Sequence, residues 1–480
     1  MPINLREVDR DQLYLLPPSL TEWLSEDHIA FFILDVVAEL DLSAFYADYR
    51  EDGRGGAAYD PALQLAVLLY AYCVGERSSR RIERRLREDV AFRVVSANQQ
   101  LDHATLARFR RRHAEAIAEL FSQVLGLCVA AGLVAAGVVS IDGTKMEANA
   151  SAWANRTRHQ LADEILAEAE AADRDEDERF GEARGDELPA DWGRREDRRA
   201  RVREALRQLD ETGPSDYASH LVAREAREAA LGHKLPGRKP SPGGKHGRER
   251  LANPTDPDSR MLRARNRFLQ GYNAQAAVSE DQVIVAAEVT NAANDSTMFA
   301  PMVRVTEENL EGASAPPAGT FVADTGYWSV DNVTLETDAE VLITPMPATK
   351  GELEPDDPRL DERGTVLRRV ELGEISVAQA AEEMGISEGW ARQLFNDRRR
   401  GRGDPAVLRK QMLNRLASPD GRHRYALRKV TTEPVFGNIK ANLRCRRFSG
   451  RGLHAAQSEW RLICAVHNLL KVRNQRFRVV

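Results

Sequence analysis

Apolar positions run first in helical rhythm, then in short β-branched stretches, then in helical rhythm again. The run from Asp60 to Cys73 is almost wholly apolar after Pro61. Asp60 stands where an N-cap belongs and Pro61 at the first helical position, so the run predicts a long buried helix. The segment Ser78 to Arg87 places Ile82 and Leu86 four apart with arginines in most other positions. Asp102 to His113 repeats that pattern, with Asp102 or Thr105 as its cap. Residues 1–134 therefore read as an all-helical domain.

The rhythm changes at Gly137-Val-Val-Ser-Ile141, which predicts a buried strand followed directly by Asp142. Strand patterns return at Gly271–Val278 and Gln282–Thr290, joined by Ser279-Glu-Asp281 as a hairpin loop. A helix is expected from about Asp295 to Leu310, then strands at Phe321–Asp324 and Glu340–Thr344. This order predicts an α/β core with a mixed sheet, built from residues 135–159 and 261–349. Two insertions interrupt it. Residues 160–260 are a charged helical segment with a Gly/Pro/Lys-rich loop over Leu235–Pro257. Residues 350–415 contain Ser376 to Arg400, which reads as helix, turn at Gly385, helix. Ser376 and Ser387 are its caps, and the small Ala380 and Ala381 lie at the crossing. Residues 416–480 form a basic helical end.

Charge distribution sharpens this picture more than composition does. A hydrophobic content of 42% excludes wholesale disorder, and a net charge of −6 does not point to a polyanionic partner. Yet Gly421–Val480 carries 14 Arg and Lys against two Glu, while Leu161–Ser215 carries 18 acids against ten Arg. The basic end predicts a phosphate-binding surface; the acidic segment reads as a solvated helix face. Cys73, Cys128, Cys445 and Cys464 have no metal-binding or disulfide spacing, in keeping with a reducing compartment. With no signal-peptide pattern and no apolar run of membrane-spanning length, a cytoplasmic, nucleoid-associated protein is expected.

Candidate chemistry rests on three acids. Asp142 and Asp324 each follow a strand-like run, and Glu433 lies among Tyr425, Arg428, Lys429 and Lys440. Thr431 or Thr432 is expected to cap the helix carrying Glu433, with Pro434 in its first turn. Strand-end placement would bring both aspartates to one edge of the sheet. Carboxylates so placed suit a hard divalent ion and phosphoryl transfer on nucleic acid. Arg80, Arg81, Arg84, Arg108 and Arg111, on the two basic helices, either contact duplex phosphates or pair with acids such as Glu83, Glu88 and Asp89. Arg392, Gln393 and Asn396 either read a major groove or belong to an ordinary helical hairpin. Trp328 either stacks on an unpaired base or packs in the core. Glu459, in an amphipathic helix, is a rival third acid; His423 and His467 read as structural.

Together these segments resemble the DDE transposases of bacterial insertion sequences. One branch carries Tyr, two residues, Arg, three residues, Glu, six residues, Lys. Tyr425 and Arg428 keep the first spacing, Glu433 and Lys440 the last. The middle gap is four residues from Arg428 and three from Lys429. Ile141-Asp142-Gly-Thr-Lys, Ala323-Asp324-Thr-Gly-Tyr327 and the downstream Glu459-Trp…His467-Asn-Leu469 belong to the same resemblance. It implies an RNase H-like core flanked by helices, an N-terminal domain that binds the element's ends, and Asp142, Asp324 and Glu433 as ligands of Mg²⁺ or Mn²⁺, two ions in all. It further implies end cleavage and strand transfer on double-stranded DNA by a dimer or larger assembly. Tyr425, Arg428 or Lys429, and Lys440 would hold the DNA backbone. The alternative is a DNA-binding regulator, or an inactivated transposase that binds without cutting.

Overall fold

The computed structural model describes residues 19–49, 58–135, 137–157, 160, 161, 163, 192–211, 216–231, 235, 239, 251–264, 267–347, 359–399 and 404–476. The first domain packs α1 (Ile29–Glu39), α2 (Pro61–Cys73), α3 (Ser79–Glu88), α4 (His103–Arg112) and α5 (Ala114–Ala130). Every residue from Leu65 to Tyr72 is buried, so α2 is its central helix. Asp60 caps it through Ala62 N at 2.7 Å, and Asp102, not Thr105, caps α4, through Thr105 N at 2.7 Å.

The sheet has six strands: β1 (Val138–Glu147), β2 (Arg260–Ala264), β3 (Arg267–Val278), β4 (Ile284–Thr290), β5 (Thr320–Ala323) and β6 (Glu340–Ile343). Between β1 and β2 lie α6 (Trp192–Glu211) and α7 (Asp216–Leu231); α8 (Phe299–Gly312) joins β4 to β5. β1 runs antiparallel to β3 and parallel to β5. β3 also pairs β4 antiparallel, and β5 pairs β6 in parallel. An antiparallel trio joined through its first strand to a parallel pair is the RNase H-like arrangement. Expected and observed strands agree except at two places. β1 continues past Asp142 to Glu147, because its ladder with β3 is unbroken from Ser140↔Val278 to Glu147↔Gly271. The strand β2, at the very start of the second core segment, was not expected; it extends the long β3 by pairing with Arg267–Gly271.

After β6 come α9 (Arg359–Glu371), α10 (Val377–Glu383), α11 (Glu388–Arg399), α12 (Pro405–Ala417), α13 (Pro419–Gly437) and α14 (Leu453–Arg476). The expected helix-turn-helix is α10–α11, with a full capping box at Ser376 and φ of +65° at Gly385. It has a third helix, since Leu367 of α9 is buried with Ala380, Ala381, Ala391 and Leu394. In the first insertion, Val202 and Ala205 of α6 form a small core with Leu161 and Ala252. The acidic stretch 164–191 and most of the Leu235–Pro257 loop lie outside the described residues.

α14 ties the two halves together. It packs along α5 and against β4; Trp460 is fully buried and donates Nε1–H to Gln275 O at 2.8 Å. Asn468 bonds both the N–H and the C=O of Ile284, at 2.9 and 2.8 Å. His467 is buried between the Gln282 carbonyl, 3.0 Å from Nε2, and Asn438 Nδ2, 3.0 Å from Nδ1. A carbonyl only accepts, so Nε2 carries the proton and Nδ1 accepts from Asn438. A second proton would face a donor, and burial pushes the imidazole down to about 4 from its ordinary 6.5. The unfolded chain therefore binds this proton first. Its contribution to stability is complete above pH 6.5 and is lost as pH falls towards 4, by roughly 3 kcal/mol. Thermal melts from pH 7.5 to 4.5 are expected to fall less steeply for His467→Gln than for the parent; parallel curves would contradict this assignment.

The helix carrying Glu433 starts far earlier than its sequence predicts. Ser418 caps α13 through Gly421 N at 3.0 Å, with Pro419 in the first turn. Thr431 and Thr432 sit inside the helix, each hydroxyl bonding the carbonyl four residues back at 2.9 Å. Pro434 is internal and cannot donate to Val430 O. That carbonyl instead accepts from Gln282 Nε2 at 2.8 Å. The partner came from a distant loop, so the local sequence gave no sign of it. No single helix among the described residues is long and apolar enough to cross a membrane.

Candidate active site

β1 and β5 set the positions of both aspartates. The parallel register pairs Ser140 with Val322; two residues further on, on the same face, stand Asp142 and Asp324. That face also carries Val138, Val322 and Leu342, covered by Met412 of α12 and by Tyr425 and Leu427 of α13. Val139, Ile141 and Phe321 point to the main core on the other side. The alternation thus puts two acids beneath α13.

α13 crosses this face diagonally. Arg424 reaches Thr320 Oγ1 at 2.8 Å and Glu340 at 2.9 Å, Thr431 bonds Ser140 Oγ at 2.9 Å, and Lys440 bonds Thr144 Oγ1 and, at 3.2 Å, the Lys145 carbonyl. Arg428 Nη1 lies 2.9 Å from Asp142 Oδ2, with both side chains more than four-fifths buried. Thr432 Oγ1 stands 3.4 Å from the same oxygen. Burial raises the Asp142 carboxyl to about 6, Arg428 opposes that rise, and the nearby Asp324 and Asp295 add to it. The centre is therefore short of positive charge. Its oxygen-only donors suit a hard divalent ion, which takes one or two carboxylates and keeps several waters.

Asp142, Asp324, Arg428 and Lys440 meet at or beside the same end of the sheet. Arg428 bonds Asp142, whereas Lys429 is exposed. Tyr425 packs against the covered face and bonds Arg428. Glu433 does not join the aspartates: it is exposed, and no described residue pairs with it. A gap of three residues from Arg428 ends on Thr432, which does face Asp142; Glu433 lies one residue on, about 100° around the helix. Among the described residues no group of three or more His, Cys, Asp or Glu converges on one ion position. Trp328 is partly buried against both core clusters.

Further away, Arg80, Arg81, Arg84, Arg108 and Arg111 are exposed on α3 and α4. Arg81 pairs with Glu76 at 3.0 Å and Arg84 with Glu88 at 3.5 Å. Arg110, between the last two, turns inward to Tyr72, Ser449 and the Arg77 carbonyl. On α11, Arg392 pairs with Glu388 at 2.7 Å, and Gln393 is exposed. Glu459 is buried and held by Ser449, Gly450, Tyr72 and Arg77, a structural role.

Two family models match the chain: a transposase domain (DUF772) over residues 18–112 and a transposase DDE domain over residues 398–473. No curated protein and no solved structure matches it. The first match spans the helical domain through α4; the second spans α12, α13 and most of α14, the helices that cover the aspartates and brace the sheet. Both matches are to transposase domains, and they flank a mixed sheet of RNase H-like order, so the chain is similar to DDE transposases over these two segments.

Proposed function

We propose that this transposase binds the terminal inverted repeats of its element, cuts the DNA there and joins the freed 3′ end to a target. The observation that carries the reading is the in-register pair Asp142 and Asp324 beneath the basic helix α13. A Mg²⁺ or Mn²⁺ ion held by these two carboxylates would activate the attacking oxygen and stabilise the leaving one. The chain's own residues do the rest. Arg428 neutralises Asp142 in the absence of the ion and is placed to turn to a phosphate when the ion replaces it. Burial first, and then the nearby Arg446 and Arg267, lower the Lys440 pKa; the three cations would form a basic track suited to backbone phosphates. Thr144 fixes Lys440 at the head of that track. Exposed arginines on α3, α4 and α11 supply further DNA contacts, and Trp328, shortly after Asp324, stacks on an unpaired base. We assign a dimer or larger assembly because an element has two ends.

Glu433 is proposed as the third acid on its spacing to Lys440. Glu433→Gln is expected to slow cleavage about 100-fold, a loss of roughly 2.7 kcal/mol of transition-state stabilisation. The test is incubation of the protein with DNA carrying the element's own ends and a target plasmid, in Mg²⁺ or Mn²⁺. Nicked and joined products are expected. Binding without any cut DNA would favour a regulator, and cutting without joining a nuclease.

A further inference from the structure

Asp295 lies in the loop between β4 and α8, beside the two aspartates. Its Oδ1 takes Asn273 Nδ2 at 2.5 Å, Gln275 Nε2 at 3.0 Å and Lys145 Nζ at 3.2 Å. Three donors from β1 and β3 therefore clamp one oxygen. Its Oδ2 has no hydrogen-bond partner among the described residues. Gly326 shows where that oxygen points. A Cβ added there would stand 3.0 Å from Asp324 Oδ1 and 3.4 Å from Asp295 Oδ2, so both oxygens border one small space. Gly143, directly after Asp142, borders the other side. A Cβ on it would overlap Gln275 Nε2 and come within 2.9 Å of Asp295 Oδ1. The glycines following each aspartate thus leave room for Asp295 and its clamp. Asn273 adds an independent sign. It is fully buried, its Oδ1 has no donor, and that oxygen lies 3.1 Å from the same Cβ position on Gly143.

We infer that Asp295 is a positioning carboxylate of the metal centre: Oδ1 is locked by Lys145, Asn273 and Gln275 so that Oδ2 faces the ion site bounded by Asp142 and Asp324. It would act from beside the ion rather than as a direct ligand, because no three acids among the described residues form a group that could hold one. Such outer carboxylates typically change metal affinity or activity by 10- to 100-fold when removed. The inference rests on the proposed metal-dependent reaction.

The test is Mn²⁺ binding to the full chain without DNA, read by electron paramagnetic resonance, with melting temperature followed in parallel. Asp295→Asn is expected to weaken Mn²⁺ binding about tenfold or more. Asp295→Glu keeps the charge opposite Lys145 and displaces the second oxygen; it is expected to weaken binding by a smaller factor with an unchanged melt. Parental Mn²⁺ affinity in Asp295→Asn, or in Asp295→Glu if the first does not fold, would overturn the inference. If Asp142→Asn and Asp324→Asn also bound Mn²⁺ like the parent, the metal-centre reading itself would fall; if only these two lost it, Asp295 alone would be misassigned.

Discussion

Asp142→Asn and Asp324→Asn are each expected to abolish DNA cleavage, by at least about 10³-fold, while leaving the fold and the binding of end DNA intact. That factor corresponds to roughly 4 kcal/mol of transition-state stabilisation. Asparagine matches the shape of aspartate, removes the charge that would hold a hard cation and turns one accepting oxygen into an NH₂ donor. The fold should tolerate the change, because the negative charge at Asp142 is already disfavoured by burial and by its acidic neighbours. Asp142→Asn also frees Arg428 from its ion pair, so DNA affinity should be unchanged or slightly higher. The readouts are product formation on end-containing DNA, a gel-shift titration and a thermal melt on the same preparation. Cleavage within tenfold of the parent in either variant would show that the acid pair is not the reacting centre.

The second large effect is structural. Gly271 sits where β3 meets both Glu147 of β1 and Arg260 of β2. A Cβ on it would overlap the Met146 carbonyl and lie 2.7 Å from Leu269 Cδ1. The carbonyl is backbone in a paired strand and has no rotamer to escape into. Gly271→Ala should therefore force β1 and β3 apart and destabilise the chain by about 3 kcal/mol or more. Since the same ladder carries Asp142, residual folded protein should also cut poorly. Gly437→Ala is the contrast: beyond its own helix backbone and chain neighbours nothing lies within 4 Å of an added Cβ, and it ends a helix, so stability should hold or rise. Equal melting temperatures for the two variants would refute the close approach at Gly271.

The strands that position Asp142, inside β1, and Asp324, just after β5, were legible because a β-branched run followed by aspartate leaves a local trace. So were the caps at Asp60, Asp102 and Ser376, which depend on neighbours two or three residues away. What the sequence concealed depends on distant partners. Pro434 marks a first turn in most helices; here Gln282 satisfies the carbonyl it orphans, and the helix begins at Pro419. β2 carries arginines rather than apolar alternation because it is a short strand on the extension of β3. Asp295 reads only as the start of the helix expected to run to Leu310. Its role depends on Asn273 and Gln275, polar residues in a strand otherwise recognised by its apolar positions. The spacing around Arg428 could not say which way Glu433 faces, since one residue turns a helical side chain about 100°.

The most direct measurement of the central claim is a metal switch at Asp324. Asp324→Cys replaces a hard oxygen ligand with a softer sulfur, which Mn²⁺ accepts better than Mg²⁺. Cleavage of end DNA by this variant should be undetectable in Mg²⁺ and return in Mn²⁺, while the parent cuts in both. Parental activity in Mg²⁺, or no recovery in Mn²⁺ from a folded, DNA-binding variant, would contradict a cation held between Asp142 and Asp324.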